Sequence, residues 1–318
     1  MRVLVALGGN AMTGPDGSAT VAAQQIAITQ AMKHIVDVVA AGHEVVLTHG
    51  NGPQVGNLLL KNEIAAAAAP PVPLDWCGAQ TQGTIGFTIM NALEAALAAR
   101  GLSNPVAAIV SRTLVDRNDP GFSSPTKPIG RFLPHEQALP LIEHGQHWQD
   151  RGEKGWRRVV ASPEPLEILE THTLRTLIDA GYLVVAAGGG GIPVIRDGDG
   201  LHGVEAVIDK DLTAAALARD VRAQVLVIAT DVPNAVVDYG TPDARPVGRV
   251  TLAEMESLAA AGHFASGSMG PKVEAACRFA SATGKQAAIG ALADLGKIIA
   301  GQAGTTVSSK ESGIVYAA

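Results

Sequence analysis

At 318 residues and 47% hydrophobic, with few aromatics and abundant Ala, Val and Gly, the chain can bury a large core of α/β layers, in one large domain or two lobes, rather than a β sandwich. A formal net charge of −6 argues against nucleic acid or an anionic membrane as the main partner, while a local lysine cluster could still face a small anion. The two cysteines, Cys77 and Cys277, lie far apart and outside any metal-ligand spacing, the usage of a reduced, cytosolic protein.

The first apolar run, Val3 to Leu7, is too brief for a signal peptide or a membrane span, so a soluble, untargeted chain is expected. It reads as a buried strand, and Gly8-Gly9-Asn10 at its end is a candidate backbone cradle, a weak signal alone. A helix follows with Ile28, Met32, Ile35, Val36 and Val39 on one face, closed by Gly42. The strand Val45 to Thr48 then ends in His49-Gly50-Asn51-Gly52-Pro53, so two successive strands each finish in a Gly/Asn loop, as in a right-handed βαβ unit. His49 could serve as a general base, but with no assignable carboxylate partner a packed histidine is the better reading.

Ala65 to Ala69 and Pro70 to Pro73 read as a helix end running into a linker, followed by a helix that stops at Arg100-Gly101 and a third strand from Val106 to Val110. From about Asp116 to Val160 the pattern breaks into Pro, Gly, His, Trp and charge, an irregular excursion of the kind that forms a lid or added subdomain. Within it, Pro125-Thr126-Lys127-Pro128 holds a lysine between two prolines, against the plainer reading of a surface loop lysine. His135, His144 and His147 lack regular ligand spacing, so no metal site is assigned.

The densest chemistry runs from Gly188-Gly189-Gly190-Gly191 to Asp209-Lys210-Asp211. The glycines follow the buried strand Tyr182 to Ala187, where a parallel sheet binds ligands, and they let backbone N–H groups approach an anion. Ordinary turn glycines are the competing reading. Lys210, flanked by two aspartates, stands at the start of a helix through Leu217, where ammonium and helix dipole both favour anions; a solvated charge triplet is the alternative. This stretch is read as the centre of a phosphoryl-transfer site.

Beyond it, the strand Val225 to Ala229 ends in Thr230-Asp231-Val232, and Thr251 with Glu254 has the spacing of a capping box. Gly267-Ser268-Met269-Gly270-Pro271-Lys272 leads into a helix through Val273, Ala276, Cys277 and Ala280, again with anion-binding chemistry at its start. The GxxxxGK[ST] loop is absent, as is a GxGxxG fingerprint with a suitably spaced acid, which disfavours a nicotinamide enzyme. Strands at Gln286 to Ile289 and Thr305 to Val307 close the chain.

Taken together, Ala6 to Ala11, His49 to Gly56, Gln82 to Gly86, Pro125 to Gly130, Gly155-Trp156-Arg157, the four glycines with Ile192-Pro193-Val194, Val207 to Asp211, and Gly267 to Lys272 resemble the carbamate kinases of the amino acid kinase superfamily over nearly the whole chain. The resemblance implies a three-layer α/β/α sandwich around a mostly parallel sheet of about eight strands, with a protruding lid at residues 116–160. It implies a carbamate-side half over 1–205, a nucleotide-side half over 206–318, and a homodimer. By position, Lys127, Lys210 and Lys272 match the phosphate-binding lysines and Asp211 the acid that positions them. Gly8, Gly9, Asn10, Gly50, Asn51, Gly52, Gly189 and Gly190 fall on the carbamate side. Thr230, Asp231, Val232, Tyr239, Gly267, Ser268 and Met269 fall on the nucleotide side, together with Lys272. The implied reaction moves a phosphoryl group between carbamoyl phosphate and ADP, with Mg²⁺ carried on ADP or ATP and no dedicated protein metal site. Most other branches carry a lysine two residues before the first Gly-Gly; Ala6 stands there, and Lys127 would supply that charge. Pro233-Asn234 departs from the expected pattern beside the adenine and ribose contacts. A sister kinase of the superfamily, a non-catalytic carbamoyl phosphate or nucleotide sensor, and a structural protein are the other readings.

Overall fold

The computed structural model describes residues 1–14, 16–198, 200–265, 267–309 and 313–317, with the side chain of Asn10 outside the described set. In chain order it begins with β1 (Arg2–Leu7), α1 (Val21–Ala40), β2 (Glu44–His49), α2 (Gly52–Ala65), α3 (Leu74–Ala99) and β3 (Val106–Ala108). Then come β4 (Arg112–Leu114), α4 (Pro120–Ser123), β5 (Lys127–Leu133), α5 (His135–Glu143), β6 (His147–Asp150), β7 (Trp156–Val160) and β8 (Glu167–Ile168). These lead to α6 (Thr171–Asp179), β9 (Leu183–Val185), β10 (Ile192–Asp197), β11 (Gly200–Gly203), α7 (Lys210–Asp220) and β12 (Val225–Thr230). The chain finishes with β13 (Val236–Val237), β14 (Arg245–Thr251), α8 (Leu252–Ala260), α9 (Met269–Thr283), β15 (Gln286–Ala291), α10 (Leu295–Ile299), β16 (Thr305–Ser308) and β17 (Val315–Tyr316).

The continuous apolar run of β1 arises because both its faces are covered. Val3, Val5 and Leu7 join one cluster with Ile28 and Ile35 of α1 and Ile85, Ile89 and Leu93 of α3. Leu4 and Ala6 join another with Leu217 of α7 and Phe279 of α9. Alternate side chains of a strand point to opposite faces, so this division yields the three-layer α/β/α sandwich.

Among the described residues the main sheet has ten strands in the order β13-β14-β16-β15-β12-β1-β2-β9-β3, with β17 paired to β14. The strands around β1 are parallel, while β15 and β16 are antiparallel. The family resemblance implies about eight strands. The additional two are β13 and β17, two-residue strands on β14 that are too short to leave a periodic signal. Chain order reverses at β1, which has β2 on one side and β12 on the other, so the carboxyl ends of all three open into one crevice.

The stretch from 116 to 160, expected to be irregular, contains regular structure: β5, β7 and β6 form a separate antiparallel sheet, with α5 between β5 and β6. Its strands carry Lys, Trp, Arg and His instead of an apolar run, which hides them from pattern reading. Ile129 and Val160 seat this arm on the body by packing with Val55 and Leu59 of α2 and Leu74 and Cys77 of α3. Most helix ends fall as the sequence indicates; Thr251 caps α8 by accepting the Glu254 N–H at 3.2 Å and donating its hydroxyl to the Glu254 carboxylate at 2.8 Å. Pro271 sits third in α9, not first, still within the turn where its missing N–H is harmless. Among the described residues no helix is long and apolar enough to cross a membrane.

Candidate active site

At the crevice, the start of α7 is fixed by its own cap. Asp209 Oδ1 accepts the N–H groups of Asp211 at 2.9 Å and Leu212 at 3.3 Å, a standard N-terminal cap. That cap sets Lys210 and Asp211 in the first helical turn. Lys210 points back to the sheet, donating to the carbonyl of Leu7 at the end of β1 at 3.2 Å. Asp211 is 5% exposed, with Oδ1 2.9 Å from Lys210 Nζ and Oδ2 2.9 Å from Lys272 Nζ. Lys272 arrives from the first turn of α9, which can lie close to α7 because both helices present small side chains, Ala214 and Ala218 on one and Ala276 and Ala280 on the other. Burial pushes the Asp211 carboxyl upward, but the ammoniums of Lys210 and Lys272 outweigh it and hold it at about 2. Burial likewise pushes Lys210 below its ordinary value, opposed by Asp211 and assisted by Lys272.

Lys127, at the start of β5, reaches the same helix end. Its Nζ lies 2.6 Å from Asp209 Oδ2. The sequence singles out Asp211 as the acid for all three lysines, whereas in the structure Asp211 pairs with Lys210 and Lys272, and Asp209 pairs with Lys127. The overlooked role of Asp209 had a signal, an aspartate directly before a helix, but its arm-side partner is 82 residues away in sequence.

The glycine loops surround this cluster. Gly50 N donates to Leu7 O at 3.1 Å, which draws the loop after β2 to the end of β1, and Gly8 N donates to Ala229 O of β12 at 3.1 Å. A Cβ on Gly50 would stand 3.8 Å from Gly9 N and 3.9 Å from Lys210 Cδ, so these glycines flank the lysine. Gly52 opens α2 just beyond. Asn51 donates to Thr81 Oγ1 at 2.9 Å, and its amide lies where a Cβ on Gly189 would fall, 2.1 Å away. Gly190 has φ +94°, a Cβ there would meet the Ile208 carbonyl at 2.5 Å, and its own carbonyl accepts the hydroxyls of Thr113 and Thr213. The glycine run is therefore demanded by close protein packing as well as by any anion. Gln82 stitches it from below, donating to Ser111 O and Gly188 O at 3.1 Å each, a role that its place in a helix does not reveal in the sequence. The Asn10 side chain lies outside the described residues.

His49 is 1% exposed and packs against Gly188, with Nδ1 2.9 Å from Gly50 O. Burial pushes its imidazole down to about 4, so it is neutral near pH 7 and behaves as the packed histidine expected from the sequence.

On the other side of the crevice, Thr230 ends β12 beside Gly8 and donates to Asp231 Oδ1 at 3.0 Å, with Val232 following. Ser268 N and Gly270 N both donate to Ala265 O, at 3.2 and 2.9 Å, tightening the turn through Gly267 and Met269 that delivers Lys272. Tyr239 is 81% exposed, and no described contact brings it to the lysines. Its turn is nevertheless tied to the loop before α9, because the neighbouring Asp238 carboxylate lies 3.0 Å from His263 Nδ1. Among the described residues no group of three or more His, Cys, Asp or Glu is arranged to hold a metal ion.

This arrangement can bind and polarise a multiply charged oxyanion between two sets of loops. The model of the amino acid kinase family matches residues 1–290. A carbamate kinase of Thermococcus kodakarensis is 45% identical over 312 residues, covering 96% of this chain and 98% of the relative. The carbamate kinase-like protein YqeA of Escherichia coli is 44% identical over 310 residues, with coverage of 96% and 98%. A solved carbamate kinase from Giardia lamblia bound to AMP-PNP superposes with a TM-score of 0.91 at 42% identity, covering 96% of this chain and 98% of that one. With a match of this extent in both sequence and structure, the chain belongs to the amino acid kinase family, in its carbamate kinase branch.

Proposed function

We propose that the chain catalyses reversible phosphoryl transfer between carbamoyl phosphate and ADP, giving ATP and carbamate, which breaks down to ammonia and carbon dioxide. The observation that carries this reading is the convergence of Lys127, Lys210 and Lys272 on Asp209 and Asp211 at the carboxyl end of β1. Three ammoniums against two carboxylates leave one net positive charge, suited to a phosphoryl group whose transition state spreads negative charge over its equatorial oxygens. In the forward direction an ADP β-phosphate oxygen attacks phosphorus, and the bond to the carbamoyl oxygen breaks with its electron pair leaving on carbamate. Neither oxygen needs a proton removed, so the reaction requires positioned cations and no general base, in keeping with a buried, neutral His49. Lysine suits this work because a compact ammonium on a flexible stem can follow the moving group.

On this reading Gly8, Gly9, Asn10, Gly50, Asn51, Gly52, Gly189 and Gly190 hold the carbamoyl phosphate. Thr230, Asp231, Val232, Tyr239, Gly267, Ser268 and Met269 hold the nucleotide. The arm within 116–160 acts as a lid between the halves 1–205 and 206–318. Magnesium enters on the nucleotide, where it would neutralise phosphate charge. Both oxygens of Asp209 already accept, from backbone N–H groups and the Lys127 ammonium, and Asp211 is ion-paired with Lys210 and Lys272, which supports a metal carried by substrate over one held by these acids. The working unit is a homodimer, supported by two exposed aromatic side chains, Trp76 and Phe87, on one face of α3.

A coupled assay for ATP from carbamoyl phosphate and ADP tests the proposal, with acetyl phosphate as control. Magnesium-dependent ATP formation with a strong preference for carbamoyl phosphate is expected. Equal rates from both donors would overturn the substrate assignment, and nucleotide binding without turnover would make the chain a sensor.

A further inference from the structure

We propose that Asp209 is a positioning residue for the arm: in the unliganded enzyme it parks Lys127 over the site, and on binding it releases Lys127 to the transferred phosphoryl group. This rests on the reading of Lys127 as a phosphoryl-binding lysine. The two oxygens of Asp209 have separate duties. Oδ1 closes the first turn of α7 through the N–H groups of Asp211 and Leu212, and Oδ2 takes Lys127 Nζ at 2.6 Å. The acid is thereby fixed to the helix that carries Lys210 and Asp211, and the leading strand of the arm is fixed to the acid.

Charge explains why a second acid is needed. Asp211 already divides its oxygens between Lys210 and Lys272, so without the Asp209 charge Lys127 would face two ammoniums with no counter-ion and be driven outward. Burial explains why the hand-over is feasible. The Lys127 side chain is 32% exposed and that of Asp209 14%, against 8% for Asp211, so the outer pair sits at the rim, where exchanging one anion for another involves less desolvation. A phosphoryl group supplies the negative charge that Asp209 gives up. The apolar seat of Ile129 and Val160 on α2 holds the base of the arm while its lysine changes partner.

The test separates the charge of Asp209 from its cap. Asp209→Asn keeps an oxygen for the two N–H groups and removes the charge, whereas Asp209→Ala removes both. In ligand-free protein, hydrogen exchange of amides in 127–160 should quicken about tenfold in Asp209→Asn, with α7 unchanged, and in both segments in Asp209→Ala. In the coupled assay, Asp209→Asn should lose about tenfold in kcat/KM for carbamoyl phosphate with the KM for ADP held within about twofold. Combined with Lys127→Ala, it should lose nothing beyond Lys127→Ala alone. Wild-type exchange and turnover in Asp209→Asn, with defects only in Asp209→Ala, would reduce Asp209 to a helix cap and overturn the proposal. Fully additive losses in the double variant would overturn it too. Should the wild-type protein fail to turn over carbamoyl phosphate, the proposed reaction falls, while arm exchange in Asp209→Asn still decides the role of Asp209.

Discussion

Asp211 concentrates the most electrostatic work in one side chain, and its replacement separates turnover from nucleotide binding. Asp211→Asn keeps the shape but leaves the Lys210 and Lys272 ammoniums facing each other across an uncharged amide. Removing one partner from a buried ion pair costs about 3 kcal/mol of stability, and kcat should fall about a hundredfold or more because both lysines lose their aim. ADP affinity should change little; thermal melts, kcat and ADP titration on one preparation check all three, and unchanged turnover would remove Asp211 from the mechanism. His49 gives a pH prediction. Its folded value of about 4 lies below the ordinary 6.5, so between these values the unfolded chain binds more protons, and stability rises with pH. Acidification through that window should cost on the order of 3 kcal/mol, before Asp211 protonates in its lower window between 3.8 and about 2. Urea midpoints measured from pH 7 to pH 4 should fall steeply in the wild type and less in His49→Gln. Parallel slopes would show that another group titrates instead.

Among the elements, the glycine turn after β9 and the start of α7 were the most legible, for different reasons. An aspartate before Lys-Asp-Leu-Thr announces a capped helix, and four glycines after an apolar run announce a turn at a strand end. What each glycine must avoid was not legible, because it belongs to distant residues. Gly190→Ala puts a methyl group on φ +94° and 2.5 Å from the Ile208 carbonyl, backbone that cannot swing aside. Gly189→Ala at φ +68° meets the Asn51 amide, which can move at the expense of its bond to Thr81. We expect Gly190→Ala to destabilise by at least about 2 kcal/mol and by more than Gly189→Ala, as read from urea unfolding. Equal midpoints for the two variants would contradict the turn geometry. The arm shows the opposite case, since β5, β6 and β7 are held by pairing with one another and show no apolar period of their own.

At the scale of the molecule, the two helix layers cover the sheet and leave the outer face of α3 uncovered. Trp76 at 61% and Phe87 at 57% exposure are eleven residues apart, three helical turns, and so share that face. Large apolar side chains on one helix face mark an association surface, and a self-complementary face across a two-fold axis is the commonest solution. Sedimentation should report a dimer for the wild type and a monomer for Phe87→Glu. A dimer unaffected by that charge would move the interface elsewhere.

The sequence by itself determined the layered α/β core, the strand-end glycine loops, the capped helix bearing Lys210 and Asp211, and the lysine at the start of α9, since periodicity, turn chemistry and capping are local properties. Its motifs, taken together, also pointed to the family. The tertiary structure alone decided which acid serves which lysine. Lys127 and Asp209 meet across 82 residues, and Lys272 and Asp211 across 61. Those pairings depend on reversal of strand order at β1, on alanine faces that bring α7 and α9 together, and on the apolar seat that aims the arm. Each is a product of packing between segments far apart in the chain, which no local pattern records.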